Sequence, residues 1–345
     1  MPTASNQPRI LIITPEAVFV PAGSESKHLC RRPFQGGFAA FIASLINDLC
    51  ERGIDVHVAQ PDYRRIFADL TGTKQNLTES KLPAGRLHLA EDRVFFYSNP
   101  LDSNGDWENT NIALNFQREI SHQILPQLQP DLIHCHDWMT GLIPAVAKER
   151  KIPCLFSVHN FTSAGSLLAR IEDRGIDAAP IWQYLYYEHY PGNYEETRTS
   201  NPVNFLLSAI LSARHVNTPS PRHLAEGVTG QPDDFKGRLK QLLQHRRQGG
   251  CTSVLPPIDI APGSANRPEN PQPQGWSTVI QFFREMYATI LQRPLASPAP
   301  VEAEEIQKRN PQKTTYGQMS PKKVVRKTAS PASFGSRPKI PAIVF

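Results

Sequence analysis

Several features are missing from this sequence, and each absence excludes a class of protein. No apolar run in the 345 residues reaches the roughly 18–20 needed to cross a bilayer. The first one, Ile10–Ile13, is too short for the core of a secretory signal and meets Pro15 and Glu16 at once. Cysteine is scarce. Cys30, Cys50, Cys135, Cys154 and Cys251 are odd in number, widely spaced and without a CxxC pair, the pattern of reduced thiols in a cytosolic protein. There is no GxGxxG fingerprint, no P-loop and no internal repeat. A basic body is lacking too. The net charge is +5, but Ala296–Phe345 alone holds nine Lys/Arg against three Glu, which leaves 28 basic and 29 acidic groups elsewhere. A body that close to neutral argues against nucleic acid as its partner.

Proline is present in excess. Of 32 residues, 18 fall in positions 1–250 and 14 in the last 95, so the chain changes character toward its end. Before that change, short apolar runs alternate with amphipathic stretches. Arg9–Thr14, Asp55–Ala59, Arg93–Tyr97, Leu132–Cys135, Pro153–Val158 and His215–Thr218 read as strands. Gly37 opens a helix with Phe38, Phe41, Ile42, Leu45, Ile46 and Leu49 on one face and Gly53 as its stop. Asn111–Leu128, Gly141–Arg150 and Val203–Ala213 read as further helices, and Asp234–Arg247 as a basic one. This rhythm predicts an α/β fold, a parallel sheet with helices on both faces. Ligands of such sheets bind beyond the carboxyl ends of the strands. Glu16, His136-Asp137-Trp138 and His159-Asn160 each follow a strand.

These residues are the candidate site, and each has a plainer reading. Gly36-Gly37 at a helix start lets a phosphate approach the free N–H groups, or is a tight turn. His136 and Asp137 need polar partners if buried. A hydroxyl-rich ligand would supply them, and Trp138 would offer a face for a sugar. In the alternative, Asp137 caps the helix at Gly141 and Trp138 is core. His159-Asn160 adds a second polar pair at the same edge. The aromatics Trp182, Tyr184, Tyr186, Tyr187, Tyr190 and Tyr194 form a carbohydrate platform or ordinary packing. Arg64-Arg65 meets an anion or solvent, and Lys322-Lys323 with Arg326-Lys327 meet an acidic partner or solvent.

Taken in order, strand–PE, GG at a helix start, PDY, PDLIHCHDWMTGLIPA, IPCLFSVHN and NPVNFLLSAI…VNTPSP resemble the N-terminal domain of bacterial glycogen and plant starch synthases, glycosyltransferase family 5. The resemblance covers residues 8–226. It implies one Rossmann-like domain, the N-terminal half of a GT-B fold, and glucosyl transfer from ADP-glucose to the non-reducing end of an α-1,4-glucan in the cytoplasm. No cofactor, metal, nucleic acid or membrane is implied. Gly36 and Gly37 match the loop that cradles the donor pyrophosphate. His136, Asp137 and Trp138 match the sugar-site HDW, and His159 and Asn160 match a motif whose His lies beside the transferred glucose. The resemblance thus makes His159 and Asp137 the catalytic pair and Glu16, Gly36, Gly37, His136, Trp138 and Asn160 substrate-binding residues.

The departures shape the expected domain plan. Phe34 stands at the family's loop lysine, Ala40 at a usual Asp and Leu207 at a common Lys. Between Ser220 and Trp276 lie 55 residues, too few for the family's second Rossmann domain of roughly 200. Residues 227–275 read as a degenerate linker. The apolar island Trp276–Leu291, within 276–295, reads as the family's final helix, packed back on the N-terminal domain. The Pro-rich basic stretch 296–345 cannot bury enough surface to offset its ordering entropy and reads as disordered. The chain alone is then expected to be an incomplete synthase, active with a separate synthase or C-terminal-domain partner. The alternative is a non-catalytic module that binds α-glucan or a synthase.

Overall fold

The structure is a computed structural model that describes residues 7–16, 18–19, 37–64, 81–98, 106–218, 232–248 and 276–295. Strands β1 (Arg9–Ile13), β2 (Asp55–Pro61), β3 (Leu87–Ala90), β4 (Leu132–His136), β5 (Cys154–Ser157) and β6 (His215–Asn217) form one parallel sheet in the order β3-β2-β1-β4-β5-β6. The chain runs outward from β1 to β3, then returns to lay β4 on the other side of β1. That reversal makes a topological switch point at the carboxyl ends of β1 and β4, the place where α/β sheets bind ligands.

Helices cover both faces. They are α1 (Gly37–Glu51), α2 (Arg93–Phe96), α3 (Asp106–Glu119), α4 (Leu125–Leu128), α5 (Ile143–Glu149), α6 (Leu168–Asp173), α7 (Tyr194–Ser200), α8 (Phe205–Ser212), α9 (Asp233–Gln248) and α10 (Trp276–Leu291). Strand alternation sorts the core into two layers. Leu11, Ile13, Ile133, Cys135, Cys154 and Phe156 face one layer with α3, α5, α8 and Leu239, Leu242 and Leu243 of α9. Ile10, Ile12, Leu132 and Leu155 face the other, beneath α1 and α10. None of the described helices is long and apolar enough to cross a membrane.

Two sequence expectations need correction. Arg93–Tyr97 is not a strand. Arg93–Phe96 is a helical turn capped by Asp92, whose carboxylate accepts from the Val94 N–H at 2.8 Å. The third strand is Leu87–Ala90, paired with β2. A short apolar run has no period long enough to choose between strand and helix, and the cap chooses here. The expected helix over Asn111–Leu128 begins earlier, at Asp106, and passes through a π-turn at Ile120–Ile124 before α4. The wider turn accommodates Pro126, which cannot donate within a regular helix. Phe34, Gly36, Arg65, Cys30, Cys251 and the basic tail lie outside the described residues.

α10 packs on the body. Val279, Ile280, Phe283, Met286, Tyr287 and Ile290 are buried against α1 and the sheet. Each large side chain so buried contributes about 1.5–3 kcal/mol. Gly141 serves a closer contact. A Cβ there would lie 2.4 Å from the Phe205 carbonyl oxygen, so the turn after β4 can rest directly on the start of α8 only with glycine. Phe283→Ala is expected to destabilise the protein by about 3–5 kcal/mol, a clear fall in the urea midpoint. A midpoint equal to the parent's would mean that α10 does not hold the body together.

Candidate functional site at the carboxyl edge of the sheet

β4 ends in His136, and the backbone then turns sharply. Asp137 sits at φ 58°, ψ 172°, a region that side-chain-bearing residues seldom occupy. Several bonds over-determine this strained residue. The Asp137 N–H donates to the Ser157 carbonyl at 3.0 Å. Its own carbonyl accepts from the Thr140 N–H at 3.0 Å and the Thr140 hydroxyl at 2.9 Å. The turn swings the Asp137 carboxylate across to the loop after β5. There Oδ1 accepts the backbone N–H groups of His159, at 2.8 Å, and Asn160, at 3.1 Å, and Oδ2 accepts the Asn160 side-chain amide at 2.9 Å. The carboxylate is not a helix cap, because no cap bond forms at the turn that follows. Burial pushes the Asp137 carboxyl up to about 7, against the pull of the two backbone N–H groups.

The histidines stack beside this clamp. His136 Nδ1 lies 3.0 Å from His159 Nε2, with ring centroids 5.2 Å apart. Phe41, in the first turns of α1, packs its edge on His159 at 5.8 Å. Thus the start of α1, the end of β4 and the loop after β5 meet at one place. Below them, His134 lies 4.1 Å from the His136 ring. Its Nδ1 meets the Tyr287 hydroxyl at 2.7 Å and its Nε2 meets Ser157 Oγ at 2.7 Å. Burial holds His134 and His136 well below the usual imidazole range.

The other predicted residues are placed as follows. Trp138 is buried, its ring stacked on Phe205 at 6.5 Å. Glu16 is half-buried in the loop after β1, its N–H bonded to Thr14 Oγ1 at 3.3 Å. That loop is tied to β2, since Gln60 bonds the backbone of Val18 and Phe19, and the Tyr63 hydroxyl donates to the Pro15 carbonyl at 2.7 Å. α1 begins at Gly37. Tyr187 is buried; Trp182, Tyr184, Tyr186 and Tyr194 pack against the core, while Tyr190 stands in solvent. Arg64 pairs with Asp62 at 2.7 Å and lies over the Phe96 ring. Leu207 is core in α8. The sequence reading passed over His134, Ser157, Asn217 and Tyr287. A usable signal existed: histidines two apart in an otherwise apolar strand must share one face.

Fold and site together define one half of a GT-B glycosyltransferase, a Rossmann-like domain with its switch point at the β1/β4 reversal. The chain covers 72% of its own length on the catalytic domain of Starch Synthase IV from Arabidopsis thaliana bound to ADP and acarbose, with a TM-score of 0.50, 18% identity and 51% of that chain matched. Residues 22–245 match the starch synthase catalytic domain, and the chain belongs to that family. It is 28% identical over 246 residues to the glycogen synthase of Halalkalibacterium halodurans, covering 65% of this chain and 48% of that one. It is 26% identical over 248 residues to that of Moorella thermoacetica, covering 65% and 47%. The chain spans about half the length of these curated relatives.

The buried titratable groups set a pH dependence. His134 and His136, with His88 and with His57 held at about 4, stay neutral in the folded chain below the ordinary 6.5. The unfolded chain binds protons on all four below about pH 6.5, so their contribution is lost as pH falls from there. Asp137 acts in the opposite sense. Its folded carboxyl keeps a proton up to about 7 and its unfolded one only to 3.8, so its contribution is lost as pH rises between these values. Four groups outweigh one. The melting temperature is expected to drop from pH 6.5 to 4.5, and more steeply in Asp137→Asn, as thermal scans across that range will read.

Proposed function

We propose that this chain handles the glucosyl unit and the α-1,4-glucan end in an ADP-glucose-dependent glycogen/starch synthase reaction. Transfer itself requires a second Rossmann half, which the 55 residues between Ser220 and Trp276 are too few to build. The carrying observation is the clamp by which Asp137 fixes the backbone of His159 and Asn160 at the sheet edge. Family membership over residues 22–245 supports the same reading. In this reading the chain works in the cytoplasm, which the free thiols among its described cysteines support.

Each residue has a task in this reading. His159, half-exposed beside the crevice, meets the glucose ring. Both Asp137 oxygens already accept N–H groups, which supports a positioning role rather than that of a base. Trp138 backs the turn from the core. Glu16 borders the crevice on the β1 side. The start of α1 at Gly37, with Gly36 before it, offers backbone N–H groups to the donor diphosphate. Phe34 brings no charge to that diphosphate, so the positive charge that stabilises the departing ADP comes from the second half. That half comes from a separate synthase or C-terminal-domain chain.

The shortness of the Ser220–Trp276 stretch also favours a second reading, a non-catalytic module that binds α-glucan or a synthase. Two assays decide. The purified chain is expected to pellet with glycogen, and His159→Ala to weaken that binding about tenfold, the worth of roughly one hydrogen bond. Glucose incorporation from ADP-glucose is expected to be absent for the chain alone and to appear when a separately produced C-terminal synthase half is added. Incorporation by the chain alone would refute incompleteness. Failure to pellet at millimolar glucan ends would refute glucan handling, and no incorporation with the added half would leave the non-catalytic module.

A further inference from the structure

With Asn217 Oδ1 facing Ser157, the polar chain beneath the site has one consistent set of proton positions. The Ser157 hydroxyl gives its single proton to Asn217 Oδ1. Its oxygen can therefore only accept from His134 Nε2, 2.7 Å away. Buried His134 is neutral and carries one ring proton, so that proton sits on Nε2 and Nδ1 is an acceptor. The Tyr287 hydroxyl, 2.7 Å from Nδ1, must donate. The order is Tyr287 O–H to His134, His134 N–H to Ser157, Ser157 O–H to Asn217. α10 is thus joined by a directed hydrogen bond to the middle of β4 and, through His134, to the last residues of β5 and β6.

From α10, two lines of contact run to His159. One passes from Tyr287 to His134, across the tilted ring contact, centroids 4.1 Å apart, to His136, and through the 3.0 Å contact of His136 Nδ1 with His159 Nε2. The other starts at Phe283, which packs on Phe41 at 6.2 Å, and Phe41 packs on His159 at 5.8 Å. Phe283 also touches His134 at 5.4 Å, closing the loop. Apolar packing alone would tolerate a helix that slips or rotates. A hydrogen bond to a fixed tautomer does not.

We propose that Tyr287 is a positioning residue: its bond to His134 Nδ1, made when α10 is seated, fixes the orientation of the His134 ring and, through His136, that of the His159 ring at the sugar site. The sugar-handling role of His159 rests on the function proposed above. The positioning itself does not, and can be read without any glucan.

The test is ¹⁵N-histidine NMR of the full chain. In the parent, His134 is expected as the Nε2–H tautomer; finding the proton on Nδ1 would overturn the proposal with no variant needed. In Tyr287→Phe, the ring resonances of His136 and His159 are expected to shift along with those of His134. If His136 and His159 keep the parent's positions in a folded Tyr287→Phe chain, Tyr287 is only part of the core and the proposal fails. Ile290→Ala, on the same helix face but away from His134, separates general loosening from the hydroxyl's effect. It should lower stability and leave the His159 ring signals in place, and equal shifts in both variants would refute a specific role for Tyr287. Glycogen pelleting adds a functional readout, with Tyr287→Phe expected to weaken binding several-fold. Should the parent not bind glycogen, the sugar-handling reading falls while the NMR outcomes still decide the positioning.

Discussion

A neutral imidazole buried inside a parallel sheet must find one donor and one acceptor, and much of this structure answers that requirement at His134. The ring lies in one of the two central strands, where an isoleucine or valine would pack without difficulty. It stays there because β5 supplies Ser157, β6 supplies Asn217 behind it, and the distant helix α10 supplies Tyr287. Leaving one ring nitrogen unsatisfied would cost on the order of 1–3 kcal/mol. Four elements are thereby held in one register, and the site stands directly above them.

The strained turn at Asp137 is the second constraint. A side-chain-bearing residue at a positive φ costs on the order of 1–3 kcal/mol and persists only where its surroundings dictate it. Here the strain aims a buried carboxylate across to the neighbouring loop, so that residues from β4 and β5 act as one rigid edge. Gly141 completes the arrangement by letting the same turn rest on α8.

The seating of α10 completes the core on one face of the sheet. With α1, it covers a face that would otherwise expose Ile10, Ile12, Leu132 and Leu155 to water. The helix therefore has a stabilising purpose that does not depend on a donor domain, which accounts physically for its amphipathic face despite the short stretch before it.

The sequence by itself determined the parallel sheet, the strand ends that carry polar residues, the α1 and α10 helices, and the family. Their hydrophobic periods and punctuating Gly and Pro are local signals that survive without tertiary context. It could not determine that Arg93–Phe96 is helical, because a short run is decided by its cap and neighbours. Nor could it tell whether Asp137 caps its own helix or grips the next loop, since both need the same residue at the same place. Only tertiary structure brought Tyr287 to His134 across 153 positions. Proton order in a buried chain is set by which groups meet, and the linear sequence records the groups without their meeting.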